Sequence, residues 1–274
     1  VLAGGVEHMG RHPMGFDADP NPRFLSEKLV SPDALNMGCT AEKIHDRFPA
    51  LTKDRADAFS VLSQQKAAKA YKDNKIQPDL ISVSAGSEAG WSLVSQDELM
   101  RPESTIEGMQ GLKTPFRAHG KVTAGNASPL TDGATVALLA GERALAKHGL
   151  KPKMKLVSFA FAGVAPEIMG IGPIPATEKA LEKAGLKIED IGLFEINEAF
   201  AVQVLSFLDH FGIADDDARV NKYGGAIAFG HPLASSGVRL MNQLAKQFEE
   251  HPGVRFGLTT MCIGLGMGGS VVWE

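Results

Sequence analysis

The feature that most restricts the fold is the regular alternation of apolar runs and amphipathic stretches after Lys121. Short apolar runs of this kind are typical of buried strands, and the stretches between them have helical spacing. The predicted strands are Val136–Ala140, Lys155–Ala162, Leu193–Ile196, Arg255–Met261 and Ser270–Trp273. The predicted helices are Glu142–His148, Ala176–Ala184, Glu198–Phe211 and Ser236–Glu250. Because strands and helices alternate along the chain, we predict an α/β fold built from layers.

The first 120 residues follow a different pattern. Residues 1–7 are apolar and indicate a buried core strand, whereas 8–120 are rich in turn residues. Within 8–120 the spacing predicts helices over 37–48 and 56–73 and one short strand over 80–84. We therefore interpret 8–120 as an elaborate insertion rather than a regular layer of the fold.

The composition excludes several classes of protein. The net charge is -4, from 28 Lys and Arg against 32 Asp and Glu, and no basic stripe favours nucleic acid. No run of 18 apolar residues occurs, so we expect no membrane span. Two cysteines in 274 residues argue against a disulfide framework and fit a reducing, cytoplasmic location.

Three loops place a polar or reactive side chain after an apolar strand or beside glycines. Asn197 follows a predicted strand, and its amide either caps the next helix or holds a water or substrate oxygen. His231, between Gly230 and Pro232, is either a turn residue or an acid, base or hydrogen-bond donor. Cys262 precedes the glycine-rich turn beginning at Gly264 and is either a small core residue or a reactive thiol.

The order of these motifs is more informative than any one of them. Asn197-Glu198-Ala199-Phe200, then Gly230-His231-Pro232, then Cys262-Ile263-Gly264 resemble the C-terminal signatures of the thiolase family. Three further stretches resemble other segments of the same family: Val1–Met9, Met37–Glu42 and Thr123–Ala134. The resemblance extends over the whole chain.

The resemblance implies a thiolase fold, in which two similar α/β halves form a layered αβαβα core with an inserted loop domain. Residues 1–7 and 121–148 would belong to the first half, 8–120 to the loop domain and 149–274 to the second half. The strand-poor pattern of 8–120 agrees with this division.

The implied reaction is thiolytic cleavage of a 3-ketoacyl-CoA, or the reverse Claisen condensation, through an acyl-enzyme thioester. By resemblance, His231 helps to activate the nucleophile and, with a water held by Asn197, binds the thioester oxygen. Cys262 is then the acid and base, and the Gly264 N–H contributes to a second oxyanion hole.

The resemblance also implies contacts with coenzyme A and acyl-CoA, with no further cofactor and no metal. Ser128 is expected to contact the pantetheine of coenzyme A. Phe200, Met37 and Phe116 are expected to form walls of the pantetheine tunnel. Glu198 is expected only to order the loop that carries Asn197.

Two features depart from the family pattern. In the family, the nucleophilic cysteine precedes the segment that resembles Val1–Met9. Neither cysteine of this chain replaces it, because Cys262 matches the acid and base position and we interpret Cys39 as structural. We therefore expect that a segment precedes this chain and that the chain alone is inactive in covalent turnover. Ala234 stands where many thiolases have Gly, which suggests a subfamily.

Alternative interpretations remain at this point. Asn36, where biosynthetic thiolases often carry His, favours the degradative direction of fatty acid β-oxidation over synthesis. A non-catalytic thiolase-like protein that binds lipid or acyl-CoA would also lack the nucleophile. A zinc site would have poor ligand spacing in the set His8, His12, Cys39 and His45. The resemblance further implies a homodimer or homotetramer, and some relatives join a hydratase–dehydrogenase partner subunit.

Overall fold

A computed structural model describes residues 1–15, 20–87 and 90–274 of the chain. Its strands are β1 Leu2–His8, β2 Val83–Ser87, β3 Gly90–Val94, β4 Asp132–Leu138, β5 Leu156–Gly163, β6 Ile191–Ile196, β7 Phe256–Ile263 and β8 Met267–Trp273. Its helices are α1 Arg23–Ser26, α2 Met37–Arg47, α3 Lys53–Lys72, α4 Ile106–Gln110, α5 Glu142–His148, α6 Pro173–Ala184, α7 Ala201–Phe211, α8 Ala226–Phe229 and α9 Leu233–Glu250. The prediction of an α/β fold is confirmed.

The central element is a four-stranded sheet with the order β5-β8-β7-β6. Strands β6 and β7 are parallel, and β8 runs antiparallel to both of its neighbours. Leu193, Phe194 and Ile196 of β6 are all at most 2% exposed. Leu193 packs in a cluster with Leu244 of α9, whereas Phe194 and Ile196 belong to the main core cluster, so both faces of the strand are buried. A strand buried on both faces has a continuous apolar sequence, which is the pattern seen in β6.

Helix α9 lies between this sheet and a two-stranded sheet formed by β1 and β4. On one side it packs against β6 and β7, and on the other against β1 and β4. Helix α6 packs on the outer face of β5 and β8. These contacts give a succession of layers, sheet, helix, sheet and helix, that places α9 at the centre of the molecule.

The first turn of α9 is held against β1 and β4 by close backbone contacts. Glu7 accepts a hydrogen bond from Ala234 N at 3.1 Å, and Thr135 donates to the Ser235 carbonyl at 2.6 Å. A side chain at Gly5 would place its Cβ 1.8 Å from the Ala234 oxygen. The lack of a side chain at Gly5 therefore permits this approach.

The predicted strands at the two ends of the insertion form, but the expectation that they are buried is wrong. Strand β1 pairs antiparallel with β4, which spans Asp132–Leu138 rather than Val136–Ala140. Leu2 is 72% exposed and Leu138 is 65% exposed. In the described residues α9 covers only one face of this sheet, so alternate side chains point to solvent.

The inserted region contains more strand than its sequence predicts. The short strand expected over 80–84 begins at Val83, and it forms an antiparallel hairpin with Gly90–Val94, which was not predicted. Trp91 and Leu93 of this hairpin are exposed, so the hairpin has no apolar face buried in a core. The sequence of this hairpin therefore lacks the alternation of buried apolar and exposed polar residues from which a strand is predicted.

A buried carboxylate joins helix α2 to the segment that begins at Lys121. Glu42, 2% exposed, lies on α2 and accepts hydrogen bonds from the backbone N–H groups of Lys121 and Val122 at 2.8 to 3.0 Å. Arg117 also donates to Glu42, at 3.0 Å. The chain is thereby fixed at the point where it leaves the insertion.

The other predicted helices are confirmed to within a few residues, with one exception. Helix α7 begins at Ala201 and not at Glu198, because Asn197 through Phe200 form an extended turn before it. Among the described residues, no helix is both long and apolar enough to cross a membrane.

We predict that Gly5→Ala lowers the free energy of unfolding by about 1–3 kcal/mol, because the added methyl group must displace backbone at the start of α9. Urea denaturation monitored by circular dichroism measures this change. Gly253→Ala is the matched control, since nothing lies within 4 Å of its Cβ, and it is expected to change stability by less than about 0.5 kcal/mol. Equal stability of the two variants would contradict the prediction.

Candidate functional site

Two of the predicted site residues lie at the same edge of the main sheet. Asn197 directly follows β6, and its backbone N–H donates to the Thr260 carbonyl of β7 at 2.9 Å. Cys262 lies two residues beyond Thr260 on the parallel neighbouring strand. Crevices beyond the carboxyl ends of parallel strands are where α/β proteins build binding sites. The topology therefore brings the amide and the thiol to one edge.

Asn197 contacts His231 and does not cap a helix. Its Nδ2 atom lies 3.2 Å from His231 Nε2, and Phe200 occupies the N-cap position of α7. Asn197 is fully buried, and its Oδ1 atom has no hydrogen-bond partner in the part of the chain that the structure describes. A buried acceptor without a donor is uncommon and indicates a place for a water or ligand.

The imidazole of His231 belongs to a chain of hydrogen bonds in which each group donates to the next, from Asn197 to the Pro232 carbonyl. Its Nδ1 atom lies 2.6 Å from Ser236 Oγ, which is also 3.0 Å from the Pro232 carbonyl oxygen. Because a carbonyl oxygen can only accept, the Ser236 hydroxyl donates to Pro232 and His231 Nδ1–H donates to Ser236. Asn197 Nδ2–H then donates to His231 Nε2. This network assigns the proton to Nδ1 and leaves a lone pair on Nε2.

The backbone around His231 is tightly constrained. Gly230 has φ +89, and its Cβ would lie 2.2 Å from Thr131 Oγ1, so both conformation and space require glycine. Thr131 Oγ1 also accepts the His231 N–H at 3.1 Å. Burial, with a smaller effect from the positive charge of Arg239, lowers the pKa of His231 to about 4. The imidazole is therefore neutral at neutral pH.

Cys262 is a buried thiol, 8% exposed. Burial raises its pKa to about 12, so the thiol is protonated at neutral pH. The tight turn after it joins β7 to β8, with positive φ at Leu265 and Gly266. Strands β7 and β8 therefore form an antiparallel hairpin, in which Cys262 lies opposite Gly268.

The residues expected to contact coenzyme A lie in two adjoining groups. Met37 Sδ is 3.6 Å from the Cβ position of Gly264, and the Phe116 ring packs against Gly38, the neighbour of Met37. Phe200 is buried in the apolar core cluster that also contains Cys262, and Met37 and Phe116 pack against that cluster.

Ser128 lies beside Phe200. Its N–H donates to the Ala199 carbonyl at 3.0 Å, and Ala127 forms an isolated antiparallel bridge with Phe200. Ser128 itself is half-buried. The segment that resembles the coenzyme A turn is therefore joined directly to the loop that follows Asn197.

Glu198 orders more than the loop that carries Asn197. Its carboxylate accepts hydrogen bonds from Ser63 at 2.7 Å, Asn221 at 2.8 Å and the Ile227 N–H at 3.1 Å. Ile227 belongs to α8, which leads directly into Gly230 and His231. Glu198 therefore holds both segments of the Asn197–His231 pair.

Sequence reasoning missed the residues that support the site from behind. Ser236 and Thr131 bond to His231, and Asn221 bonds to both the N–H and the carbonyl of Ile196. Of these residues, only Ser236 could have been found from the sequence. It lies in the first turn of the helix that begins just after His231, and its hydroxyl is therefore close to that residue. Among the described residues, no group of three or more His, Cys, Asp or Glu side chains is arranged to hold a metal.

We predict that Ser236→Ala weakens the preference of His231 for the Nδ1–H form by about fivefold, the equivalent of one hydrogen bond of about 1 kcal/mol. Nitrogen-15 NMR of the imidazole at pH 7 measures the ratio of the two tautomers. Ser235→Ala is the matched control, because Ser235 bonds to the Pro232 carbonyl at 3.2 Å and has no bond to the ring. An unchanged ratio in Ser236→Ala would contradict the assignment.

We predict that iodoacetamide at pH 7 modifies Cys39 at least tenfold faster than Cys262. Cys39 is half-exposed, whereas a thiol of pKa about 12 has a thiolate fraction of roughly one in 100,000 at pH 7. Mass spectrometry of labelled peptides gives both rates, and Cys39→Ala identifies the slower site. Faster labelling of Cys262 would show that its thiol is neither buried nor protonated.

The comparisons with known proteins agree with this geometry. The family models "Thiolase, N-terminal domain" and "Thiolase, C-terminal domain" match residues 1–143 and 150–274. A 3-ketoacyl-CoA thiolase of Photobacterium profundum is 43% identical over all of this chain and 70% of its own length. The 3-oxoadipyl-CoA/3-oxo-5,6-dehydrosuberyl-CoA thiolase of Escherichia coli is 40% identical over all of this chain and 72% of its own length.

A solved structure is similar throughout. The crystal structure of human mitochondrial 3-ketoacyl-CoA thiolase matches with a TM-score of 0.88 and 33% identity, covering all of this chain and 71% of that one. The predicted thiolase fold is thereby confirmed. With both family models matched and relatives above 40% identity, this chain belongs to the thiolase family and is an acyltransferase of the thiolase type.

Proposed function

We propose that the protein cleaves a 3-ketoacyl-CoA with coenzyme A to acetyl-CoA and a shortened acyl-CoA, or catalyses the reverse condensation. The observation that carries the proposal is the Asn197–His231 contact, with its unpartnered Asn197 Oδ1, at the sheet edge that also holds the Cys262 thiol. A protein that only binds acyl-CoA has no need of a neutral imidazole and a protonated thiol in this arrangement.

His231 acts first as a base and then as a hydrogen-bond donor. Its unprotonated Nε2 accepts the proton of the nucleophilic thiol, and Nε2–H then points at the thioester oxygen. Asn197 Oδ1 accepts from a water that donates its other proton to the same oxygen. The Ser236 hydroxyl stabilises the protonated ring through Nδ1.

Cys262 transfers protons between carbon and sulfur. Its thiol gives a proton to the α-carbon as acetyl-CoA leaves. The resulting thiolate, being more basic than a free thiolate, takes the proton of the incoming coenzyme A, whose sulfur then attacks the acyl thioester. The Gly264 N–H stabilises the enolate oxygen of acetyl-CoA in this step.

Coenzyme A is bound along the surface beside Ser128. Ser128 contacts the pantetheine, and Phe200, Met37 and Phe116 form the apolar walls that guide it to the thiol. The adjoining positions of Ser128 and Phe200, and of Met37 and Gly264, support this path. No further cofactor is part of the proposal.

The division into 1–7 with 121–148, 8–120 and 149–274 is also part of the proposal. The antiparallel pairing of β1 with β4 supports it, because the insertion then begins and ends on adjacent strands. We further propose a cytoplasmic homodimer or homotetramer, which analogy with the family supports. Association with a hydratase–dehydrogenase subunit belongs to the same analogy.

The degradative direction is the one we propose for the cell. The side chain of Asn36 accepts from Gly38 N at 3.0 Å and Cys39 N at 3.4 Å, capping the helix that begins with Met37. Asn is among the best capping residues, so this position is occupied by a structural group rather than a second imidazole.

We predict that His231→Ala and Cys262→Ala each lower kcat/KM for acetoacetyl-CoA thiolysis by about 100- to 1,000-fold, because each removes a group used in the transition state. Absorbance of the magnesium enolate of acetoacetyl-CoA follows the reaction. The assay compares each variant with the unmodified protein, prepared in the same way.

Matched controls separate these roles from general damage. Cys39→Ala and His210→Ala remove the same side-chain types outside the site, His210 being bonded to Glu178 on the surface, and both are expected to keep near-normal rates. Activity that survives in both His231→Ala and Cys262→Ala would reject the proposed roles and favour an acyl-CoA-binding protein.

A further inference from the structure

Arg239 lies on α9, three residues after Ser236. Its Nε, Nη1 and Nη2 atoms are all buried, and none of them makes a hydrogen bond to any of the described residues. Arginine remains protonated at any pH at which proteins fold, so this is a buried positive charge. Such a charge costs several kcal/mol unless other groups solvate it.

Three oxygen atoms on α9 and β6 lack a hydrogen-bond donor among the described residues. Glu195 Oε2, Gln243 Oε1 and Gln247 Oε1 are buried and receive no hydrogen bond. Gln243 and Gln247 follow Arg239 at intervals of four residues, so the three side chains share one face of α9. Glu195 faces this helix from β6, because Gln247 Nε2 donates to its other oxygen at 2.6 Å.

A bridging water would satisfy the Arg239 donors and these oxygen atoms together. The donors of Arg239 and these three oxygen atoms are complementary in kind, but no direct hydrogen bond joins them. A water molecule accepts from a guanidinium N–H and donates to a carboxylate or amide oxygen. Buried waters in proteins occupy such sites, where two to four polar groups otherwise lack partners.

We propose that Arg239 is a positioning residue for His231, held by ordered water that bridges its guanidinium to Glu195 in a buried polar pocket behind the site. The inference rests on the proposed role of His231 in the thiolase reaction. It adds to that role a residue that touches neither substrate nor the reacting atoms.

The pocket lies where it can fix the distance between the two halves of the site. Glu195 faces α9 from the end of β6, two residues before Asn197. Ser236 and Arg239 are three apart on α9 and likewise share a face. The bridge from Arg239 to Glu195 therefore runs parallel to the chain from Ser236 through His231 to Asn197.

Charge adds a second effect of Arg239 on the imidazole. The ionisable groups that act on Arg239 are Glu195, Glu198 and Asp97, and Lys66 also acts on Glu195 and Glu198. Burial raises the pKa of Glu195 to about 8. Of all these groups only Arg239 acts on His231, whose pKa it lowers in addition to the larger effect of burial. A positive charge at this place opposes a second one on the ring and keeps Nε2 available as a base.

Arg239→Gln tests the proposal through the titration of His231, followed by NMR from pH 3.5 to 8. We expect the midpoint to rise by about one pH unit in Arg239→Gln and to return close to the wild-type value in Arg239→Lys, which restores the charge. Lys246→Gln is the matched control. It removes one positive charge from the same helix two turns further on, where Lys246 pairs with Asp79, and it is expected to leave the midpoint unchanged.

A folded Arg239→Gln protein with the wild-type midpoint would overturn the proposal. If Arg239→Gln does not fold, a high-resolution crystal structure of the wild-type protein decides: ordered water between Arg239 and Glu195 supports the proposal, and a dry pocket or a direct ion pair overturns it. Because neither readout uses activity, a protein without thiolysis would reject the proposed function and leave this inference to be judged separately.

Discussion

The packing of α9 between two sheets is the constraint on which the rest of the molecule depends. One face of the helix covers β6, which Asn197 directly follows, and β7, which carries Cys262. The other face covers β1 and β4. The helix begins just after His231, so its position determines where the imidazole lies relative to the sheet edge. The close contact at Gly5 fixes the first turn of the helix from the opposite side.

Buried carboxylates hold together the loops that this packing leaves between elements. Glu42 binds the end of the insertion, and Glu198 joins α3, the turn at Asn221 and the start of α8. Each accepts several hydrogen bonds, mostly from uncharged donors, which compensates for the loss of water around it. Glu195 differs, because one of its oxygens receives no bond from protein. Behind the site, protein atoms therefore support Glu198, and we propose that water supports Glu195 in part.

Much of the fold could be predicted because most elements have strong internal periodicity. Helix α3 and the strand β6 were predicted nearly to their ends, since spacing and burial agree there. The exposure of β1 and β4 could not be predicted, because an apolar run does not reveal how many neighbours cover it. The hairpin at Gly90–Val94 lacked any buried face, and the turn from Asn197 to Phe200 has helix-forming residues that tertiary contacts hold extended.

The sequence by itself determined the α/β class, the family and the three motifs at Asn197, His231 and Cys262, because each depends on local order along the chain. Only the tertiary structure decided which atoms meet: the contact of Asn197 with His231, the support from Ser236 and Thr131, and the isolation of Arg239. These contacts join residues that lie on different elements. The protonation states of His231 and Cys262 also depend on burial. Burial arises only when the chain folds, so a local sequence pattern does not predict it.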